Sequence, residues 1–296
     1  MPTLPPLHLD FSKNDFLSLP LSVIQSAVMP VVVRRPDGGL VGLGTAFTIA
    51  PGLMLTASHV MQEAVEGQGA LVEGAMAGVV CLASSDEAAS EFFGALLPIE
   101  RSRHYQSFDI ALLEVGVPFI DDEPVPLLQL PLTAELPTVG DQVIALGYSR
   151  LDASHRQHGE VESAYQLQQD FNGTRGRVEE VHPVRRDWLL PFPCFRTNAR
   201  FDGGISGGPV FNAEGFVCGV VCSGYELGEE EVGYTSYASI LFPAFFFESL
   251  RTEEGEVRMY SLLEFVKVGA IQGHESLSRL ELTTDASGER RITLRN

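Results

Sequence analysis

The stretch Gly204-Ile205-Ser206-Gly207-Gly208-Pro209 sets a serine among glycines, and two further motifs precede it in the chain. Thr56-Ala57-Ser58-His59-Val60 contains a histidine, and Phe108-Asp109-Ile110-Ala111-Leu112-Leu113 places an aspartate directly before an apolar run. A serine hydroxyl becomes a nucleophile at neutral pH when an imidazole takes its proton and a carboxylate orients that imidazole. The three motifs therefore supply the residue types of a nucleophilic triad.

The order of these residues along the chain distinguishes between folds that use this chemistry. Histidine, then aspartate, then serine is the order of the two-barrel chymotrypsin design, whereas subtilisin and α/β-hydrolase chains use other orders. His59, Asp109 and Ser206 follow the two-barrel order. An esterase-like acyl hydrolase of the α/β-hydrolase type is therefore disfavoured.

Longer segments around these residues resemble trypsin-like serine peptidases, most closely the bacterial high-temperature-requirement type. The similar segments are 44–50, 55–60, 109–113, 139–148, 204–210 and 219–224. The resemblance implies an all-β fold of two six-stranded antiparallel β-barrels, a chymotrypsin-like double barrel, followed by a C-terminal helix and hairpin tail. The remaining C-terminal residues are too few for the peptide-binding domain that many bacterial relatives append.

The resemblance also implies a role for each motif residue. Ser206 would be the nucleophile, His59 the general base and then the general acid, and Asp109 the group that orients His59. The backbone amides of Gly204 and Ser206 would form an oxyanion hole, which stabilises the charge that develops on the attacked carbonyl oxygen. Such a reaction needs neither metal nor cofactor.

Two positions depart from the pattern of these relatives. Ile205 stands before the nucleophile, where trypsin-type zymogens place an aspartate that pairs with a newly cut N-terminus, so activation by that ion pair is not expected. Cys222 stands where many relatives have a serine that hydrogen-bonds the catalytic aspartate, and a thiol makes that bond more weakly.

The substrate-binding side is predicted less sharply. Counting back from the nucleophile places Arg200 near the floor or wall of the primary pocket, while Gly224 would leave the mouth of that pocket open. Arg200 could select acidic side chains through charge-assisted hydrogen bonds, or Asp202 or Glu226 could neutralise it. Small apolar side chains are the other main expectation. The predicted substrate-binding residues are Arg200, Phe201, Val221, Cys222, Ser223 and Gly224.

Composition shifts divide the chain into four parts: an N-terminal arm (1–24), the barrel with His59 and Asp109 (25–130), the barrel with Ser206 (131–250) and a C-terminal extension (251–296). The polar segment 150–190 is predicted to form long loops with some strand, and 225–232 an acidic loop. Helical spacing predicts a helix within 260–271, and alternation predicts a terminal hairpin over 280–294.

Charge and cysteine content limit the partners and the compartment. A net charge of −19 disfavours nucleic acid and anionic membranes, because both would repel the chain. The four cysteines are expected to be free thiols, and the N-terminus lacks a signal-peptide pattern, so a cytoplasmic location is predicted over secretion. His155 and His158 have no cysteine or carboxylate partners at ligand spacing, so no metal site is expected.

The sequence therefore predicts a regulated intracellular bacterial serine endopeptidase that cleaves protein or peptide substrates. The alternative is a protease-fold peptide-binding module, or a latent pseudoenzyme that requires a partner. Segment 150–190, the acidic stretch 226–231 or a regulatory protein is expected to hold the cleft inactive until a signal arrives.

Overall fold

Strands separated by turns make up most of the residues that the structure describes, as the apolar runs bounded by glycine and proline predict. A computed structural model describes residues 5–6, 21–66, 73–83, 92–116, 119–120, 123–124, 127–155, 165–226, 234–253, 256–284 and 290–295. Across these ranges, none of the helices is long and apolar enough to cross a membrane. The α-helices are α1 (Leu21–Gln25), α2 (Ser58–Glu66) and α3 (Leu262–Lys267), and 3-10 helices span Gln106–Phe108, Phe242–Phe246 and Glu275–Arg279.

The first barrel consists of six antiparallel strands and is closed. The strands are β1 (Val28–Arg34), β2 (Leu40–Ala50), β3 (Leu53–Ala57), β4 (Met76–Ala83), β5 (Phe92–Tyr105) and β6 (Ile110–Val115). They are hydrogen-bonded in the order β5-β4-β1-β2-β3-β6, and pairing of β5 with β6 closes the barrel. Apolar residues such as Phe47, Ile49 and Leu55 fill its core and are fully buried. Burial of these side chains is the main stabilising term for the barrel.

The second barrel repeats this architecture. Its strands are β9 (Gln142–His155), β10 (Tyr165–His182), β11 (Cys194–Thr197), β12 (Pro209–Asn212), β13 (Val217–Glu226) and β14 (Tyr234–Ile240), after a two-residue pair, β7 (Phe119–Ile120) and β8 (Glu123–Pro124). The order is β11-β14-β13-β12-β9-β10, and pairing of β10 with β11 closes the barrel. The predicted double barrel is confirmed, and an additional pairing of β10 with β5 joins its two halves.

One local prediction is wrong: the described parts of 150–190 contain long strands rather than mainly loops. Strands β9 and β10 pair from Gln142 with Arg177 out to His155 with Tyr165. The β10 side of this ribbon carries little burial signal, since residues 170–177 are all exposed or half-exposed. Its side chains therefore lack the apolar alternation by which a half-buried strand is recognised.

The C-terminal extension packs on the first barrel. Strands β15 (Glu248–Glu253) and β16 (Glu256–Ser261) form a hairpin, α3 follows, and β17 (Leu280–Thr284) pairs with β18 (Arg290–Leu294). The predicted helix and terminal hairpin are both confirmed. Buried Glu114 of β6 accepts hydrogen bonds from the Ser249 hydroxyl and the Leu250 amide, which fixes the extension to the barrel. Most of the predicted N-terminal arm, and residues 227–232 of the acidic loop, lie outside the described residues.

Candidate active site

Neighbouring strands of the first barrel bring His59 and Asp109 together. The last residue of β3, Ala57, pairs with Ile110 at the start of β6, so residues just beyond these two positions lie side by side. His59 lies in the first turn of α2. Asp109 follows the 3-10 helix with φ 48°, a left-handed conformation that aspartate tolerates better than most residues.

The Asp109 carboxylate orients the His59 ring through short hydrogen bonds. Nδ1 of His59 lies 2.9 Å from Oδ2 and 3.1 Å from Oδ1 of Asp109, and the His59 backbone amide also donates to Oδ1 at 3.1 Å. The Asp109 side chain is 10% exposed and that of His59 41% exposed. A proton on Nδ1 leaves the lone pair on Nε2, and this is the tautomer that a general base requires.

The nucleophile candidate, Ser206, lies in a turn that requires glycine on both sides. Gly204 and Gly207 have φ values of 89° and 85°, and a Cβ on either would overlap a backbone carbonyl oxygen. Strand β13 anchors the turn, because Val221 accepts a hydrogen bond from the Gly207 amide and donates one to the Gly208 carbonyl, both at 2.8 Å. The glycines that the sequence sets around Ser206 are therefore a steric requirement of this turn.

Thr45 of the first barrel holds the same turn from the opposite side. Its amide donates to the Ser206 carbonyl at 2.8 Å, and its hydroxyl donates to the Gly204 carbonyl at 3.1 Å. The hydroxyl also accepts from the Tyr148 amide at 3.0 Å, so one side chain connects the two barrels at the nucleophile. The sequence analysis missed this residue, because a threonine within a strand pattern gives no sign of a contact 159 positions away.

We expect Thr45→Val to lower the free energy of unfolding by about 2 kcal/mol and to reduce kcat, because the Gly204 carbonyl and Tyr148 amide both lose a buried partner. Thr45→Ser should retain stability and activity. Thr48→Val is a matched control, since the Thr48 hydroxyl is buried on the same strand and has no hydrogen-bond partner among the described residues. Denaturant unfolding and kcat measure both effects, and equal behaviour of the two valine variants would contradict the role.

The backbone amides of Gly204 and Ser206 are available as donors. Within the described part of the chain neither amide has an acceptor, whereas the intervening Ile205 amide donates to the Asp202 carbonyl at 3.4 Å. The Ser206 hydroxyl donates to the carbonyl of Cys222 at 3.5 Å, and among the described residues no hydrogen bond joins it to His59. Catalytic hydrogen bonds are often long or misaligned without substrate. A turn about the Ser206 Cα–Cβ bond would reorient this hydroxyl.

Comparison with known proteins decides the family. The profile described as the trypsin-like peptidase domain matches residues 44–220, which is more than half of the chain and contains all three triad candidates. The chain belongs to the trypsin-like peptidase family. It is a serine peptidase, and its two-barrel fold agrees with this assignment.

Solved structures similar to this trypsin-like peptidase include the Rv3671c protease from M. tuberculosis. Its active form has a TM-score of 0.48 and 19% identity over 81% of this chain and 87% of that chain. The inactive form of a serine-to-alanine mutant of the same protein has a TM-score of 0.44 and 20% identity, over 81% and 90%. Comparison with curated proteins gives no match.

The candidate residues of this trypsin-like peptidase open into one cleft of about 460 Å³ between the barrels. Four of the six predicted substrate-binding residues line it, whereas Val221 is buried beneath it in the core of the second barrel. Arg200 is not part of the lining, and its Nε donates to Asp202 Oδ1 at 2.5 Å. The residues that line the cleft are His59, Asp109, Leu189, Leu190, Phe192, Phe201, Asp202, Gly203, Ser206, Cys222, Ser223 and Gly224.

The loop before β11 supplies lining residues that the sequence analysis missed. Leu189, Leu190 and Phe192 form an apolar wall of the cleft. Asp187 fixes this loop, because its Oδ1 accepts from the Leu189 amide at 2.9 Å and the Leu190 amide at 3.0 Å. The only indication in the sequence was the apolar run Trp188-Leu189-Leu190 inside the polar segment 150–190. Nothing in the sequence connected this run to the nucleophile.

Cys222 lies against the triad candidates. The residue is 5% exposed. Burial raises the pKa of the Cys222 thiol well above its usual range, and the neighbouring Asp109 carboxylate, to which the thiol hydrogen-bonds, raises it further. A thiol that stays protonated donates to Asp109 without adding charge. Cys222 thus lies beside Asp109. All four cysteines of the chain are free.

No group of three or more metal-ligating side chains occurs within the part of the chain that the structure describes. His158 lies outside those residues.

Proposed function

We propose that this serine peptidase is an endopeptidase that hydrolyses protein or peptide substrates through an acyl-enzyme, with Ser206 as nucleophile, His59 as base and acid, and Asp109 as the orienting carboxylate. The observation that carries the proposal is the paired His59 and Asp109 of one barrel opening into the same cleft as Ser206 of the other. Three convergent groups of these types, delivered from two barrels, are what acyl transfer requires.

In the acylation step His59 Nε2 takes the Ser206 hydroxyl proton as Oγ bonds to the substrate carbonyl carbon. Asp109 holds the proton on Nδ1 and stabilises the imidazolium that forms. The amides of Gly204 and Ser206 donate to the developing oxyanion, and such a donor is worth about 10²–10³ in rate. Collapse of the intermediate breaks the C–N bond, and His59 returns its proton to the leaving amine.

Deacylation repeats the sequence with water. His59 takes a proton from water, the resulting hydroxide bonds to the acyl carbon, and the Ser206 Oγ–C bond breaks with return of the proton to Oγ. The product carboxylic acid leaves and the free enzyme is restored. Each step is assigned to side chains and amides of the chain itself.

One observation favours a latent form as the second candidate. The Ser206 hydroxyl is hydrogen-bonded to the Cys222 carbonyl, and not to His59, in the described residues. A chain held in that state would bind peptides in the cleft without cleaving them until a partner reorients the hydroxyl. A regulatory protein partner, or the acidic stretch 226–231, is the proposed restraint.

Labelling with a fluorophosphonate probe separates the two candidates. We expect the purified chain to be labelled, and Ser206→Ala and His59→Ala to remain unlabelled. Ser102→Ala is the matched control and should be labelled like the wild-type chain. Ser102 is exposed on β5, and its hydroxyl lies 3.1 Å from His104 Nε2, but it has no glycine turn around it. Absence of labelling in the wild-type chain would support the latent form and contradict a constitutively assembled triad.

The proposed setting is the bacterial cytoplasm. Free thiols at all four cysteines are typical of a reducing compartment, and the net charge of −19 opposes binding to nucleic acid or an anionic membrane surface. An intracellular endopeptidase requires restraint, which is the reason to propose regulation. Fast Ser206-dependent cleavage of an unfolded protein by the pure chain would contradict that restraint.

A further inference from the structure

One edge of strand β13 is covered by another strand over only part of its length within the described residues, and the uncovered part offers a place for an extended substrate. Strand β13 pairs with β14 along one side, but β12 covers its other side only as far as Val220. Beyond that point Cys222, Ser223 and Gly224 line the cleft, and the Cys222 carbonyl lies within 3.5 Å of Ser206 Oγ. An extended peptide that adds to this edge would deliver a carbonyl carbon to the nucleophile.

A peptide bound along this edge would also determine the position of the side chain of P1, the residue whose carbonyl is attacked. With its carbonyl oxygen at the amides of Gly204 and Ser206, the P1 residue lies between the edge at 222–224 and the segment 201–204. Its side chain then points between these two walls. The distance between the walls therefore limits the size of the P1 side chain.

The two walls are in contact at Phe201 and Gly224. A Cβ added to Gly224 would overlap the Phe201 carbonyl oxygen and lie 2.9 Å from the Phe201 Cβ, closer than side-chain carbons approach. The Phe201 residue is only 8% exposed and belongs to the apolar core of the second barrel together with Ile205 and Val221. Gly224 therefore does not open the mouth of a deep pocket, because the backbone oxygen and the Cβ of Phe201 lie directly against it.

The Phe201 segment is held in place by its neighbours. The Phe201 amide donates to the Ser236 hydroxyl at 3.2 Å, and Ser236 is buried on β14. The preceding Arg200 amide donates to the Thr174 hydroxyl at 3.1 Å. The Arg200 side chain is 55% exposed, bound to Asp202 and 4.9 Å from the ring of Tyr234, so its charge does not face the space between the walls.

We propose that Phe201 closes the primary pocket and restricts this peptidase to substrates with glycine or alanine at P1. The inference rests on the proposed endopeptidase function and adds the substrate class. Phe201 lines the cleft, and its ring acts by occupying volume there. Gly224 is required for a separate reason, because a methyl group at that position would collide with the Phe201 carbonyl oxygen. Acidic P1 residues are disfavoured as well, since among the described residues no lysine or arginine lines the cleft.

Peptide libraries varied only at P1 test this specificity. For the wild-type chain we expect kcat/KM at alanine to exceed that at leucine or phenylalanine by about 100-fold, the scale at which a closed pocket rejects extra methylenes. Phe201→Ala should raise leucine relative to alanine by at least about tenfold. Phe216→Ala is the matched control: it removes an aromatic residue that contacts His274 and does not line the cleft, so it should leave the P1 ratio unchanged.

A second Phe201 variant, a labelling measurement and a binding measurement complete the test. Phe201→Leu makes a smaller cavity and should give an intermediate ratio if Phe201→Ala fails to fold. Fluorophosphonate labelling reports on Ser206 separately, so a wild-type chain that is labelled yet cleaves after leucine as fast as after alanine overturns the pocket proposal alone. If labelling fails, binding of peptides ending in alanine or leucine to Ser206→Ala, with and without Phe201→Ala, tests the pocket without turnover. Equal binding of both peptides to Ser206→Ala would overturn the proposal.

Discussion

Replacing Ser206 with alanine is expected to lower kcat for peptide hydrolysis by about 10⁶-fold, because the members of a triad act as a unit and the loss of the nucleophile removes acylation altogether. The residual rate would come from substrate binding and from the two oxyanion amides, both of which are backbone groups that alanine retains. Ser206 lies at the cleft, and its hydroxyl makes one long hydrogen bond to the Cys222 carbonyl. The variant should therefore fold as the wild type does.

The measurement is a comparison of single-turnover cleavage rates, together with thermal unfolding to verify the fold. Ser102→Ala should keep the wild-type rate, although the Ser102 hydroxyl lies within hydrogen-bond distance of a histidine, His104. The comparison distinguishes Ser206, which lies in a glycine turn in the same cleft as Asp109 and His59, from Ser102, which only contacts a histidine ring. A Ser206→Ala rate within tenfold of wild type would show that another group attacks the substrate.

The barrels and triad candidates were predictable from the sequence because local patterns specify them. The glycines around Ser206 are dictated by two left-handed φ values and by backbone carbonyls with no room for a Cβ. Asp109 and His59 flank two apolar strands whose register makes them neighbours. Chemistry, turn geometry and strand pattern thus coincide at the same positions, and such agreement across levels is what makes a prediction strong.

The remaining features depend on contacts between distant segments. Thr45 reaches Gly204 across the barrel interface, and Phe201 meets Gly224 between two walls of the cleft. Neither contact leaves a periodic pattern, so the sequence suggested an open pocket at Gly224 where the walls touch. Strand β10 was missed for another reason, since its residues 170–177 are all exposed or half-exposed and carry no apolar alternation.

Asp109→Asn is expected to lower kcat by about 10⁴-fold while leaving the backbone undisturbed. Asparagine also tolerates the left-handed conformation that Asp109 adopts with φ 48°, so the substitution changes the side chain and not the turn. The His59 backbone amide donates to Asp109 Oδ1, and the amide oxygen of asparagine would take over that role. The asparagine NH₂ group would then replace Oδ2 and face His59 Nδ1.

That arrangement would place two donors against each other unless the ring gives up the proton on Nδ1. His59 would then carry its proton on Nε2, where it can no longer accept the Ser206 proton, so activity falls although the histidine and serine are both present. Asp37→Asn, in an exposed turn where the carboxylate accepts from the Gly39 amide, is the matched control and should retain full activity. Steady-state kinetics on both variants measure the effect. Near wild-type kcat for Asp109→Asn would mean that the His59 tautomer is set by another group and that Asp109 only supports the fold.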